Sequence, residues 1–186
     1  YRSLVASVTA AETRVAGKAG PLSRAAAENL YRVMAYKDEY EVARLHAARS
    51  YGPGAVFHMS PPLPLGTDPA TGRRRKMAIP GWFVQPLFRV LQHGKALRGT
   101  GFDVFGAQSE RQAERALIDQ YSKDLLLIVE HLTVGNLGIA IALTELPDQI
   151  RGFGPVKDAS RQKGDAQRET LLTQFRQQPA MAQAAE

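Results

Sequence analysis

Leu117, Tyr121, Leu125, Ile128 and Leu132 follow one another at spacings of four, four, three and four residues, an apolar stripe that forms one face only on an α-helix. A capping-box pattern, Ser109 with Gln112 three residues on, marks where that helix starts. The same periodicity recurs elsewhere. Leu4, Val8, Ala11 and Val15 define a helix from Ser3 to about Lys18, which Gly17, Gly20 and Pro21 end. Ser23 reads as the N-cap of a second helix running to about residue 50, where Tyr51, Gly52, Pro53 and Gly54 stop it. Its face carries Ala26, Leu30, Val33, Met34 and Tyr40, with Lys37, Asp38, Glu41 and Arg44 on the solvent side. Trp82 through Leu97 forms a third helix, apolar on a large surface despite Pro86. After the stripe, Gly135 and Asn136 interrupt, a short apolar helix follows to Glu145, and Pro147 closes it. A polar last helix is expected from about Asp158 to Gln177, with a disordered tail after Pro179. Val56–Met59 and Met77–Ile79 pair as a small hairpin. The expected fold class is mainly α: a compact helical domain of about five to six helices over residues 1–178, with a small β-hairpin around residues 55–80.

At 186 residues and 44% hydrophobic side chains the chain suits one domain with a real core. It has no cysteine, so it can supply no disulfide, thiolate zinc site, iron–sulfur ligand or cysteine nucleophile. It opens on Tyr1 with no basic start and apolar signal run, and is read as a piece of a longer polypeptide. Leu125 to Leu143 approaches membrane-spanning length, but Glu130, His131 and Asn136 lie near its middle, and soluble buried helices explain it better.

Charge is uneven: residues 51–108 hold seven basic and two acidic side chains, and residues 109–186 hold nine and eleven. The run Arg73, Arg74, Arg75 and Lys76 follows a turn-rich stretch from Pro61 to Gly72. Such a cluster can bind phosphates, yet it has no interleaved aromatics, helix-turn-helix spacing or zinc-finger ligands, so a solvated loop is the better reading than a nucleic-acid site. His46, His58, His93 and His131 are scattered without a second ligand at metal spacing. Glu110 with Glu114 and Arg111 with Arg115 read as a salt-linked exposed face. Gly152 and Gly154 lack the preceding strand and third glycine of a dinucleotide fingerprint, and no Walker loop or catalytic triad stands out.

Longer segments add a resemblance. Residues 31–45, Tyr-Arg-Val-Met-Ala-Tyr-Lys-Asp-Glu-Tyr-Glu-Val-Ala-Arg-Leu, are followed in order by Ser60-Pro-Pro-Leu63, Leu97-Arg-Gly-Thr100, Phe102-Asp-Val-Phe-Gly106, Glu110-Arg-Gln-Ala-Glu-Arg115 and Ile150-Arg-Gly-Phe-Gly-Pro-Val-Lys157. Over roughly residues 1–176 this resembles the C-terminal region of the bacterial single-chain indolepyruvate ferredoxin oxidoreductases, with Ser60 and Pro155 standing where that family more usually has alanine and histidine.

The resemblance implies a cytoplasmic holoenzyme that oxidatively decarboxylates aryl 2-oxo acids, with coenzyme A as acyl acceptor and ferredoxin as electron acceptor. It implies thiamine diphosphate with Mg and 4Fe–4S clusters in upstream domains, and none of these in this segment. No catalytic residue is transferred. A structural role is expected, packing against the upstream catalytic domains or a second subunit in a homo-oligomer, without a membrane. The alternatives are a basic rim for coenzyme A or acidic ferredoxin, using Arg73, Arg74, Arg75, Lys76, Arg98, Arg151 and Lys157, and a stand-alone nucleic-acid adaptor. Arg98, Asp103, Glu110, Arg115, Arg151 and Lys157 are the polar positions of interest, expected to tie turns to helices by charge-assisted hydrogen bonds.

Overall fold

The computed structural model describes residues 1–59, 66, 75–98, 100–103, 105–106, 109–152 and 155–183. It is mainly α. Among the described residues there are seven α-helices, one 3-10 segment and one two-stranded antiparallel sheet. The chain divides into two compact units, residues 1–36 with 114–186, and residues 37–113.

The first unit is helical. Helix α1 (Arg2–Ala16) ends on Gly17, whose φ of 78° is left-handed and whose N–H reaches the Thr13 carbonyl at 2.9 Å. Helix α2 (Pro21–Met34) packs against α1 and against α6 (Leu137–Gln149), and α6 packs in turn against α7 (Pro155–Gln183). Helix α5 (Ser109–His131) brings its stripe into the same core. Tyr121, Leu125, Ile128 and Leu132 are all buried there with Val8, Leu22, Leu30, Leu143 and Phe175. Each such aliphatic side chain contributes about 2 kcal/mol through burial alone. Between α5 and α6 the fully buried Asn136 holds the turn, accepting the Thr133 N–H at 2.8 Å and donating to the His131 carbonyl at 2.9 Å. The apolar window over Leu125–Leu143 is therefore two helices. No helix among the described residues is long and apolar enough to cross a membrane.

The second unit holds α3 (Glu39–Ala47), the hairpin, α4 (Gly81–Leu91) and the 3-10 segment Gln92–Leu97. Strands β1 (Val56–Met59) and β2 (Met77–Pro80) form the hairpin the sequence predicted, in the register Val56 with Pro80 through Met59 with Met77. Ala43, Val84 and Phe88 are the buried centre, with Phe57, Ile79 and Leu91 against them. His46, Tyr51, Phe57 and Phe88 form a ring cluster in which the His46 imidazole lies stacked on Phe88 at 5.0 Å.

Several expected boundaries move. The single helix predicted from Ser23 to residue 50 is two, because Asp38 stops the run and caps a new one. Its start is also earlier: Pro21 takes the first helical position, where its missing N–H costs nothing, and Ser23 lies buried inside the first turn. Pro147 does not close α6, which continues to Gln149. Burial of Leu143, Leu146 and Pro147 holds that last turn against the one hydrogen bond the proline removes. Helix α7 runs to Gln183, beyond the proline at which a tail was expected. The Ser109 cap falls on a side chain outside the described residues.

Candidate functional site

Residues from four of the segments quoted above meet at the N-terminus of α3. Asp38 stands just before the helix in extended conformation (φ −85°, ψ 178°), and its carboxylate accepts the Glu41 N–H at 2.8 Å. That satisfies one of the donors a helix start leaves open. Arg98, immediately after the 3-10 segment, returns to the same carboxylate, with Nε at 2.5 Å from Oδ2 and Nη2 at 2.6 Å from Oδ1. The Nη2 contact is a charge-assisted hydrogen bond, and Nε adds a close ion-pair contact to the second oxygen. From the second residue of the helix, the Tyr40 hydroxyl donates to Asp103 Oδ1 at 3.1 Å, and the Gly106 N–H donates to the same oxygen at 3.0 Å. Burial, then the Asp103 carboxylate, push the Tyr40 phenol above its ordinary range, so it remains a donor. Phe105 meets the Tyr40 ring edge-on at 5.3 Å, and Gly94 abuts it so closely that an added Cβ would lie 2.5 Å from a ring carbon. Glu39 pairs with Arg111 at 3.2 Å.

Of the predicted positions, Arg98 and Asp103 thus belong to one knot, held together through α3. Arg75 and Lys76 are exposed in the same unit. Arg73 and Arg74, and the Glu110 side chain, lie outside the described residues. In the first unit, Lys157 pairs with the largely buried Glu114, while Arg151 grips Asp148 with two contacts at 2.9 and 3.0 Å beside Arg32. Arg115 sits half-buried on α5.

Sequence reasoning missed three partners. Asp38 was placed on a solvent face, although Asp38 and Glu41 have capping-box spacing. Asp124 and Arg168, on α5 and α7, form a two-pronged pair at 2.6 Å per contact, and no local pattern links positions so far apart. The third is Glu12. It is 1% exposed on α1 and accepts hydrogen bonds from the N–H groups of Gly20 (2.8 Å), Leu22 (3.0 Å) and Ser23 (2.8 Å), as well as from the Ser23 hydroxyl. It is an N-cap for α2 supplied from another helix. The one available signal is that α2 opens on Gly20 and Pro21 with no capping side chain of its own, so its donors must be served from elsewhere.

Burial raises the Glu12 pKa, but the Ser23 hydroxyl and the three backbone donors outweigh it and hold the group below its usual 4.5. A depressed carboxylate stabilises the fold fully above the unfolded value and loses that contribution as pH falls through the folded one. Glu12→Gln is therefore expected to be less stable than the parent at pH 7, with the gap narrowing below about pH 4.5 and closing as pH falls through the lower folded-state value, where Glu12 itself takes a proton. Denaturant melts of both proteins between pH 3 and pH 7 check this; a gap independent of pH would contradict it.

The open spaces are chemically plain. A gap of about 20 Å³ beside Tyr121 and Arg168 has room for about one water. A wide depression lined by Gln149, Val156, Ala159, Ser160, Lys163 and Gly164 offers one cation, and its Ser160 hydroxyl is already donated to the Gln149 carbonyl at 2.8 Å. Among the described residues no group of three or more His, Asp or Glu side chains is gathered to hold a metal ion.

The fold and these polar ties define a mainly α module in which Asp38, Glu39, Glu114 and Asp124 are each engaged by an arginine or lysine. The chain belongs to the DUF6537 family, a family of unknown function, whose model matches residues 1–170. No curated protein and no solved structure matches it.

Proposed function

We propose that the chain is the non-catalytic structural and assembly domain of an indolepyruvate ferredoxin oxidoreductase, a cytoplasmic enzyme that converts aryl 2-oxo acids to acyl-coenzyme A and reduces ferredoxin. The reading rests on the ordered segments from Tyr31 to Lys157. One observation carries the structural part of it. Asp38, Glu39, Tyr40, Arg98, Asp103 and Arg111, drawn from four of those segments, direct their polar groups at each other. Groups kept for substrate would instead converge on a cleft. The holoenzyme's 4Fe–4S clusters do not fit this chain, since cluster ligation uses thiolates and it has no cysteine. Thiamine diphosphate with Mg, the clusters and the decarboxylation chemistry belong, in this reading, to upstream domains of the same polypeptide, which assembles as a homo-oligomer. The intact protein, purified without oxygen and given indolepyruvate, coenzyme A and ferredoxin, is expected to reduce ferredoxin. Absence of reduction with clusters and thiamine diphosphate loaded would overturn the reading.

A second reading gives the domain a basic rim for coenzyme A or ferredoxin. Exposed Arg75 and Lys76, which make no ion pair among the described residues, favour it. Arg98, Arg151 and Lys157 weaken it, because each is engaged by a carboxylate. Replacing Arg73, Arg74 and Arg75 with serine in the intact enzyme is expected to raise KM for the bound partner at low salt if the rim operates. Unchanged KM values for both coenzyme A and ferredoxin would remove it.

A further inference from the structure

Helix α4 is apolar on two sides, and the second unit buries only one of them. Gly81, Val84 and Phe88 are buried, and Leu91 packs beside them. At 100° per residue, Trp82, Phe83, Pro86, Leu87 and Val90 fall on the opposite arc. They are exposed: Trp82 by 73%, Phe83 by 57%, Leu87 by 48% and Val90 by 72%. Pro86 belongs on this side, since the Trp82 carbonyl that loses its helical partner there can turn to solvent. Trp82 and Phe83 lie edge to face at 6.0 Å, a ready aromatic anchor. A contiguous apolar face of this kind, carrying a tryptophan and a phenylalanine, has the composition of an interface core.

The surrounding charge selects the occupant. Arg89 borders the arc on α4 itself, and exposed Arg75 and Lys76 lead into β2, which runs directly into α4. No aspartate or glutamate occurs between Pro69 and Phe102. The described carboxylates of the unit are already engaged: Asp38 by Arg98, Glu39 by Arg111, Glu41 by Arg44, and Asp103 by Tyr40 and Gly106. The basic margin is thus uncompensated locally. A second copy seated face to face would bring two basic margins of the same sign together, which disfavours self-pairing. Membrane-surface helices carry a polar face dense in lysine and arginine, whereas α4 carries one charge, Arg89.

We propose that the outer face of α4 docks a protein surface with an apolar centre and carboxylate margins. The inference deepens the assembly role proposed above by naming the surface and the chemistry of its partner. Trp82 is the chain's one tryptophan, so its emission reports occupancy of this face directly. The probe is a helical peptide with leucine and phenylalanine on one face and glutamate on the other. It is compared with its lysine counterpart and with phosphatidylglycerol vesicles, using the 186-residue chain, whose helicity is checked by circular dichroism. The glutamate peptide is expected to shift Trp82 emission to the blue and shield it from iodide, more weakly as salt rises. Phe83→Ser and Arg89→Glu, both at exposed positions that leave Trp82 as reporter, are each expected to weaken binding about tenfold. Four results would each overturn the proposal: no response to the glutamate peptide, an equal response to the lysine peptide, a response to vesicles alone, or a concentration-dependent blue shift of the chain by itself with dimers in sedimentation. Failure of the intact enzyme to reduce ferredoxin would overturn the family reading and leave the peptide result standing.

Discussion

Glu12→Ala is expected to lower the stability of the folded chain by about 3 kcal/mol, the largest single loss anticipated from a polar substitution here. The carboxylate receives three backbone N–H groups and the Ser23 hydroxyl at the start of α2. Alanine removes every acceptor at once. It leaves the N–H groups of Leu22 and Ser23, both buried residues, without their partner at a helix end where no local side chain can substitute. An ordinary N-cap is worth about 1 kcal/mol, and an unsatisfied buried donor costs about 1–3 kcal/mol. For a chain of this size the melting temperature should fall by roughly 10 °C. Loss of only a degree or two would mean that water reaches the α2 terminus and Glu12 is not its cap.

Arg98→Ala is expected to have the second largest effect. Asp38 is nearly buried, and Arg98 is the arginine that meets both of its carboxylate oxygens. Removing one member of a buried pair strands the other charge, at a cost of about 3–5 kcal/mol when the pair is fully sheltered. The Arg98 side chain is about one third exposed, so solvent screens part of that cost and a loss of about 2 kcal/mol is the expectation. Asp38 still caps α3 through the Glu41 N–H, so the helix should remain while its tie to the segment after Leu97 loosens. Amide exchange should therefore quicken around Arg98–Gly106 and at the α3 N-terminus, with the core of the first unit unchanged. Uniform quickening throughout would show that the two units do not respond separately.

The contrast between these sites explains how far the amino-acid order leads. The stripe from Leu117 to Leu132, the face from Leu4 to Val15 and the hairpin strands were all readable, because apolar periodicity and proline or glycine punctuation are local. The break before α3 was not read, since Lys37, Asp38 and Glu41 fit the exposed side of a continuing helix as well as they fit a cap. Tyr40 looks like a core residue and is one, at 3% exposure, yet its hydroxyl ends on Asp103. Resemblance picked out Arg98 and Asp103 as polar positions of interest, and geometry supplied their partners. Glu12 and the Asp124–Arg168 pair escaped because a lone carboxylate on a helix is ordinarily solvated, and nothing within a turn of sequence indicates that a distant segment will cover it. The outer arc of α4 escaped in another way: Trp82, Phe83 and Val90 were counted toward one apolar surface, when only Val84, Phe88 and their neighbours are covered.

The most direct measurement is the steady-state kinetics of Arg98→Ala in the intact protein, assayed for the proposed oxidoreductase activity below the variant's melting temperature and normalised to folded protein. If the knot around Asp38, Tyr40 and Asp103 is a structural fastening, kcat and KM for the 2-oxo acid, coenzyme A and ferredoxin stay at parental values while the melting temperature falls. A severalfold rise in any KM, or a fall in kcat, with the melting temperature unchanged would place Arg98 in the working site and contradict the structural role proposed for this domain.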